Sequence, residues 1–89
     1  MQEETITIIN KLGLHARAAT KFANTANKFG SNIQVTFTGK KIDAKSIMSL
    51  MLLAAAKGSD ITINTEGNDE IKALAALKKL IADRFDEEE

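Results

Sequence analysis

The sequence has no cysteine, tryptophan or tyrosine, and its one histidine is His15. Without cysteine the chain forms neither a disulfide framework nor a thiolate metal site, and this composition is consistent with a reducing compartment. A metal site at His15 is disfavoured as well, because no second histidine is present to share the ion. We therefore expect a protein without a bound metal or cofactor, in which the single imidazole is available for other chemistry.

The chain also lacks a long hydrophobic run and an apolar N-terminus. Its longest apolar run, Leu50 to Ala56, is far too short to cross a bilayer. The acidic segment 1–4 has no apolar region of the kind found in signal peptides. We therefore expect a soluble, cytoplasmic protein that does not insert into a membrane. With 89 residues, of which 44% are hydrophobic, it should form a single domain over residues 1–89, with residues 86–89 as a frayed acidic tail.

The net charge is zero, but the two signs are distributed unevenly along the chain. Asp43 is the only acid between Lys11 and Lys57, whereas acids cluster at residues 3–4 and again after residue 59. A basic half around the histidine would suit an acidic partner surface and would accelerate association at low salt. A solvated surface of mixed charge explains the same pattern, so the charges alone leave both interpretations open.

Hydrophobic periodicity predicts the element order βαββαβα, an α+β protein built as a two-layer sandwich. Alternation predicts strands at Thr5–Ile9, Ile33–Phe37, Lys41–Asp43 and Asp60–Thr65. Helical spacing predicts helices over residues 16–29, 46–57 and 68–85, with Ser46 and Asn68 as the N-caps of the second and third. The last helix is expected to bury Ile71, Leu74, Leu77, Ile81 and Phe85. Two architectures, one of them ferredoxin-like, share the first six elements, and periodicity does not separate them.

The segment 12–20 joins the first strand to the first helix and contains His15. Gly13 permits a sharp turn of the backbone there. His15 then lies beside the free N–H groups of Ala16 and Arg17 at the helix N-terminus, where an anion is favoured. The helix dipole at this end also favours the neutral, nucleophilic imidazole over the imidazolium. The Arg17 guanidinium adds a cation whose planar fork matches a phosphate. Together these groups predict a site that holds a phosphoryl group.

Two motifs make the sequence resemble a known family. Gly13-Leu14-His15-Ala16-Arg17, followed later by Lys45-Ser46-Ile47-Met48, resembles HPr, the histidine phosphocarrier of the bacterial phosphoenolpyruvate-dependent phosphotransferase system. The resemblance covers essentially the whole chain. Many members have proline where this chain has Ala18, and the change leaves the chemistry intact because neither residue has a reactive group. The resemblance implies an open-faced sandwich, with a four-stranded antiparallel sheet in the order 1-4-2-3 and three helices on one face.

The resemblance also implies a function and its residues. His15 would accept a phosphoryl group on Nδ1 from phosphorylated enzyme I and pass it to an enzyme IIA domain for sugar uptake and its regulation, while Arg17 stabilises the group. Such a protein is a stoichiometric carrier and not an enzyme. Ser46 would be phosphorylated by a dedicated ATP-dependent kinase, the HPr kinase/phosphorylase. The residues expected to contact partners are Thr20, Ile47, Met48 and Met51, whereas Leu50 and Leu53 are assigned to the core.

Two alternatives stay open at this point. A paralogous carrier of the nitrogen-related branch would use the same chemistry on regulatory targets, and Ala18 is compatible with either branch. A non-catalytic ferredoxin-like module that binds RNA would belong to a different class. Such a module needs aromatic side chains on its strands for base stacking, and Phe37 is the only aromatic residue on a predicted strand. We therefore expect no nucleic-acid partner.

Overall fold

The computed structural model describes residues 1–89. Its elements are β1 (Gln2–Thr7), α1 (Ala16–Ala26), β2 (Asn32–Phe37), β3 (Lys40–Asp43), α2 (Ile47–Leu53), β4 (Asp60–Glu66) and α3 (Glu70–Ala82). The strands form one antiparallel sheet in the order β1-β4-β2-β3. This is the order that the resemblance to HPr implied, and it decides between the two architectures that periodicity left open. None of the helices is long and apolar enough to cross a membrane.

The sheet buries one face and leaves the other open, as the alternating strand patterns predicted. In β4, Ile61 and Ile63 are fully buried, whereas Thr62 between them is partly exposed. In β2, Val35 lies opposite Ile63, so apolar side chains of neighbouring strands meet on the same face. The helices cover that face with their own apolar stripes, including Phe22 of α1, which is fully buried.

β1 starts and ends earlier than its own residues predicted. The expected strand covered residues 5–9, but the observed strand begins at Gln2 and ends at Thr7. Pairing with β4 explains the difference, because Gln2 lies opposite Thr65 and Thr7 lies opposite Asp60. The partner strand, not local propensity, sets the length of β1. The segment after Thr7 is thereby free to form the loop that leads to His15.

The first two helices are shorter than predicted. α1 ends at Ala26, before Gly30, and α2 ends at Leu53, well before residues 57–58. At the end of α2, Ala54 adopts a left-handed conformation with φ of 53°. The chain turns there because the next carbonyl, that of Ala55, accepts a 2.9 Å hydrogen bond from the N–H of Leu14. The contact between the two loops therefore ends α2.

α3 begins one residue later than predicted, because Asp69 and not Asn68 is its N-cap residue. The Asp69 side chain does not cap its own helix; it accepts hydrogen bonds from the N–H groups of Gly30 and Ser31 and from the Ser31 hydroxyl. Ile71, expected in the core, is 69% exposed, whereas Ala73 is fully buried. The four other residues of the predicted stripe are buried.

Residues 86–89, expected as a frayed acidic tail, follow a tight turn and contact the rest of the chain. After α3 the backbone makes a left-handed turn in which Arg84, Phe85 and Asp86 all have φ between 54° and 63°. Such a conformation costs roughly 1–2 kcal/mol per residue, but the turn places the Phe85 ring in the core, where it is fully buried. Lys21 of α1 donates a 2.8 Å hydrogen bond to the Phe85 carbonyl. The tail consequently runs back over α1, towards His15.

Candidate functional site

The loop before α1 is built around Gly13. Its φ is +66°, a conformation that L-residues with a side chain rarely adopt. A Cβ atom at this position would lie 2.5 Å from the Ala55 carbonyl oxygen and 2.8 Å from the Ala56 Cα. Only glycine therefore allows the loop to approach the segment after α2 this closely. That approach fixes the position of His15, two residues further along.

His15 is the N-cap residue of α1, with an extended backbone and a side chain that makes no capping hydrogen bond. Its carbonyl accepts the first helical bond, from Ala19 at 2.8 Å. The N–H groups of Ala16, Arg17 and Ala18 therefore have no backbone acceptor, as is usual in the first turn of a helix. These donors and the positive end of the helix dipole lie where the sequence predicted an anion site.

The His15 ring has a partner that the sequence did not predict. Its Nε2 contacts the Oε2 of Glu87, and the two side chains are 27% and 15% exposed. The other carboxylate oxygen of Glu87 accepts a 3.0 Å hydrogen bond from Asn10 Nδ2. Asn10 is fully buried and also donates to the Gly13 carbonyl at 2.9 Å. Asn10, Glu87 and His15 thus form a hydrogen-bonded chain that ends at the imidazole.

Glu87 is ionised in this environment. Burial by itself raises the pKa of the Glu87 carboxyl, but the hydrogen bonds from Asn10 and His15 and the charge interactions with His15 and Arg17 together outweigh it. The net result is a pKa below the ordinary value of 4.5. At neutral pH, therefore, a carboxylate lies against Nε2 of the imidazole.

Arg17 lies on the exposed side of α1, and its side chain makes no hydrogen bond or ion pair within the chain. It lines an open cleft together with Lys11, Leu12, His15 and the tail residues 87–89. A guanidinium without a protein partner, next to the free helical N–H groups, is available for an incoming anion. The arrangement suits transient binding of a phosphoryl group.

The acidic tail changes the charge of this region. Glu89 forms an ion pair with Lys11 at 3.1 Å, and Asp86 lies 3.6 Å from Lys21. The sequence suggested a basic half around His15, and the fold supplies some of these lysines with acids from the C-terminal end of the chain. Arg17 is consequently a cation next to His15 that forms no ion pair with an acidic side chain.

α2 begins at Ser46, whose hydroxyl oxygen accepts a 3.2 Å hydrogen bond from the N–H of Ser49. The predicted N-cap is therefore confirmed. Leu50 and Leu53 are buried as predicted. The predicted contact residues Ile47, Met48 and Met51 are 38%, 71% and 42% exposed, and the sequence analysis missed Leu52, which is 75% exposed. Thr20 on α1 is partly exposed, and its hydroxyl donates to the Ala16 carbonyl at 2.8 Å.

Two further residues of the site, Asn10 and Glu87, were missed for different reasons. Asn10 follows a strand, a position where a polar residue is common in loops and gives no specific signal. Glu87 lies in a run of acids that is typical of a solvated terminus. Nothing local indicates that either residue contacts His15, because the contact depends on the turn after α3.

The sequence matches the family model described as "PTS HPr component phosphorylation site" over residues 2–83. The chain belongs to the HPr family. It is 51% identical to the phosphocarrier protein HPr of Cupriavidus necator and 52% identical to that of Neisseria meningitidis serogroup A, in each case over 89 residues and 100% of both chains. The crystal structure of HPr-C-His from Thermoanaerobacter tengcongensis is similar over 100% of both chains, with a TM-score of 0.96 and 48% identity.

Membership of the HPr family makes this chain a phosphocarrier protein of the phosphotransferase system. A histidine phosphocarrier needs a nucleophilic nitrogen and a place for the phosphoryl oxygens, and the geometry offers both at one helix terminus. The geometry at the N-terminus of α1 is therefore compatible with the activity of the family.

Proposed function

We propose that this HPr protein accepts a phosphoryl group from phosphorylated enzyme I on His15 and passes it to an enzyme IIA domain, for sugar uptake and its regulation. The observation that supports this proposal is the position of His15 as an N-cap residue whose ring leaves the first N–H groups of α1 free. A phosphoryl group on the ring can reach those donors, and Arg17 is one turn away. Our proposal places the protein in the cytoplasm, as the sequence predicted.

The transfer itself needs little from the protein beyond position and charge. A ring nitrogen of His15 attacks phosphorus, the new N–P bond forms, and the bond from phosphorus to the donor breaks. The N–H groups of Ala16 and Arg17 and the Arg17 guanidinium stabilise the negative charge on the transferring oxygens. When an acceptor protein offers a competing nucleophile, the N–P bond breaks and the phosphoryl group leaves His15, which is the behaviour of a carrier.

The proposed partner surface combines α1 and α2. Met48 and Leu52 of α2 are 71% and 75% exposed, which is unusual for large apolar side chains. Flexible side chains such as methionine adapt to different partners in turn, as a carrier between two proteins requires. We assign Thr20 on α1 and Ile47 and Met51 on α2 to the same surface.

Ser46 is proposed as a regulatory phosphorylation site on this surface. Its hydroxyl caps α2, so an added phosphate would lie at a helix N-terminus, where negative charge is tolerated. The exposed Ile47 and Met48 follow directly. Phosphorylation by an ATP-dependent kinase would therefore leave the fold intact and change the surface that partners contact.

Intact-mass spectrometry tests the proposed carrier activity. Incubation with enzyme I and phosphoenolpyruvate should add one phosphoryl group per chain, labile in acid and stable in base, as a phosphoramidate is. His15→Ala should remain unmodified, while Ser46→Ala should be modified at the rate of the unchanged protein. Phosphorylation of His15→Ala by enzyme I would show that another residue is the acceptor.

A further inference from the structure

We propose that Glu87 is a positioning residue for His15, because its carboxylate holds the proton on Nε2 and so presents the Nδ1 lone pair to phosphorus. The inference rests on the proposed function of His15 as phosphoryl acceptor. It goes beyond that function by assigning the choice of nitrogen, and part of the charge stabilisation, to the tail of this chain.

The Glu87 carboxylate is held at both oxygens. Oε2 contacts Nε2 of His15, and Oε1 accepts from the fully buried Asn10 at 3.0 Å. Asn10 is fixed in turn by its 2.9 Å bond to the Gly13 carbonyl. Because Glu87 is only 15% exposed, water competes weakly for these bonds.

The tail is anchored on both sides of Glu87. Before it, Asp86 lies 3.6 Å from Lys21, whose ammonium also donates to the Phe85 carbonyl. After it, Glu89 pairs with Lys11 through its side chain and through a backbone hydrogen bond. These contacts reduce the freedom of the intervening residue. The position of the carboxylate is therefore set by the fold, and does not depend on the imidazole alone.

The contact with Glu87 determines which nitrogen of the neutral His15 ring carries the proton. An ionised carboxylate accepts hydrogen bonds and has no proton to donate. Nε2 of the neutral ring must therefore carry the proton in its contact with Glu87, and Nδ1 carries the lone pair. A carboxylate on one imidazole nitrogen performs the same task in hydrolytic triads, where it orients the ring and sets the tautomer.

The charge of Glu87 matters during the transfer. When the Nδ1 lone pair forms the bond to phosphorus and the donor bond breaks, the proton stays on Nε2 and the ring changes from neutral to cationic. The N-terminus of α1 disfavours that cation. The Glu87 carboxylate offsets this penalty on one side of the ring, while the helical N–H groups stabilise the phosphoryl oxygens on the other.

Glu87→Gln tests the idea, since the amide keeps the shape and removes the charge. Asn10 Nδ2 is a donor and faces Oε1, so the oxygen of the introduced amide would turn to Asn10 and its NH₂ group would face His15. An NH₂ group favours the other tautomer, with the proton on Nδ1. We expect phosphoryl transfer from phosphorylated enzyme I to slow roughly 10- to 100-fold in kcat with little change in KM.

Glu88→Gln is the matched control. Glu88 carries the same charge one residue away and is exposed, and its side chain makes no hydrogen bond or ion pair. Comparing the transfer rates of the two variants separates the loss of the Glu87 contact with His15 from the general effect of losing one negative charge near the site. Thermal unfolding of both variants shows whether the fold is retained.

Nitrogen-15 NMR measures which ring nitrogen of His15 is protonated, a property that would not change if Glu87 only stabilised the fold. Since His15 is the only histidine, its ring nitrogens are assigned without ambiguity. In the unchanged protein and in Glu88→Gln, Nε2 should be the protonated nitrogen; in Glu87→Gln the proton should move to Nδ1. Equal transfer rates for the two variants, or an unchanged tautomer in Glu87→Gln, would overturn the inference. If the unchanged protein accepts no phosphoryl group, the proposed function fails, and the tautomer comparison still decides what Glu87 does to the ring.

Discussion

Gly13→Ala should destabilise the protein strongly, because two separate effects act at this position. The backbone is left-handed, with φ of +66°. The added methyl carbon would also meet two backbone atoms, the Ala55 oxygen at 2.5 Å and the Ala56 Cα at 2.8 Å. Backbone cannot rotate away as a flexible side chain can, so the loop before His15 must separate from the segment after α2.

The expected loss follows from these two effects. A left-handed alanine costs about 1–2 kcal/mol, and forced overpacking adds about 1–3 kcal/mol. Alanine recovers roughly 0.4–1 kcal/mol by restricting the unfolded chain. The free energy of unfolding should therefore fall by about 3 kcal/mol, near the middle of a range of roughly 1–5 kcal/mol. For a domain of this size that lowers the melting temperature by roughly 10–25 °C.

Gly39→Ala is the control for this experiment. Gly39 has a φ of +83°, but a Cβ atom there would meet nothing within 4 Å. It should therefore lose about 1 kcal/mol, from backbone strain alone. Urea unfolding of both variants, with the rate of phosphorylation by enzyme I measured on the folded fraction, separates the two effects. If Gly13→Ala is no more destabilising than Gly39→Ala, the close approach to Ala55 does not hold His15 in place.

Three further predictions concern single side chains. Arg17→Ala should slow transfer by roughly 100-fold or more with almost no change in melting temperature, because the guanidinium has no partner in the chain; Arg17→Lys should recover part of the rate. Ser46→Ala should cost about 1 kcal/mol through the lost cap, whereas Ser46→Asp should keep the fold and raise KM for the enzyme I reaction, less so at high salt. For Asp69, hydrogen bonds from the Ser31 hydroxyl and the Gly30 N–H lower the pKa of the carboxyl below 3.8. The stabilisation of the fold by this carboxylate is therefore present at neutral pH and is lost as the pH falls through the lowered pKa. The difference in free energy of unfolding between the unchanged protein and Asp69→Asn, measured by urea unfolding, should shrink in acid.

Each of these predictions has a clear contrary result. A large loss of stability with normal transfer in Arg17→Ala would make Arg17 structural. If the Ser46→Asp variant binds enzyme I normally at low salt, Ser46 acts only as the N-cap of α2. A stability difference in Asp69→Asn that is constant from neutral pH into acid would show that the Asp69 carboxylate is not preferentially stabilised in the folded state.

The predictable parts of the site depend on residues close together in the chain. Gly13 marks a turn, helical spacing begins at residue 16, and these two facts place His15 at a helix N-terminus. Capping is equally local, so Ser46 could be identified as an N-cap from its position before an apolar run, and the structure confirms it. Local periodicity likewise predicted the element order and, in α3, the buried residues Leu74, Leu77 and Ile81.

Prediction failed where a distant residue decides the outcome. Asn68 and Asp69 are both suitable N-caps, and the choice between them follows from the bonds of Asp69 to residues 30 and 31, which follow α1. The length of α2 was overestimated because helical propensity continues through Ala54, whereas the Leu14 hydrogen bond to Ala55 ends the helix. In each case the competing local conformations have similar energies, so a single long-range contact selects one.

The sequence by itself therefore determined the family and the position of His15, the proposed nucleophile, at a helix terminus, because these depend on residue types at short spacing. Only the tertiary structure decided which groups surround the imidazole. Glu87 is 72 positions from His15, and it reaches Nε2 because the left-handed turn at residues 84–86 buries Phe85 and directs the tail back over α1. Whether such a turn forms depends on the space that the core leaves for the Phe85 ring, a property of the packed helices and sheet that no local pattern contains.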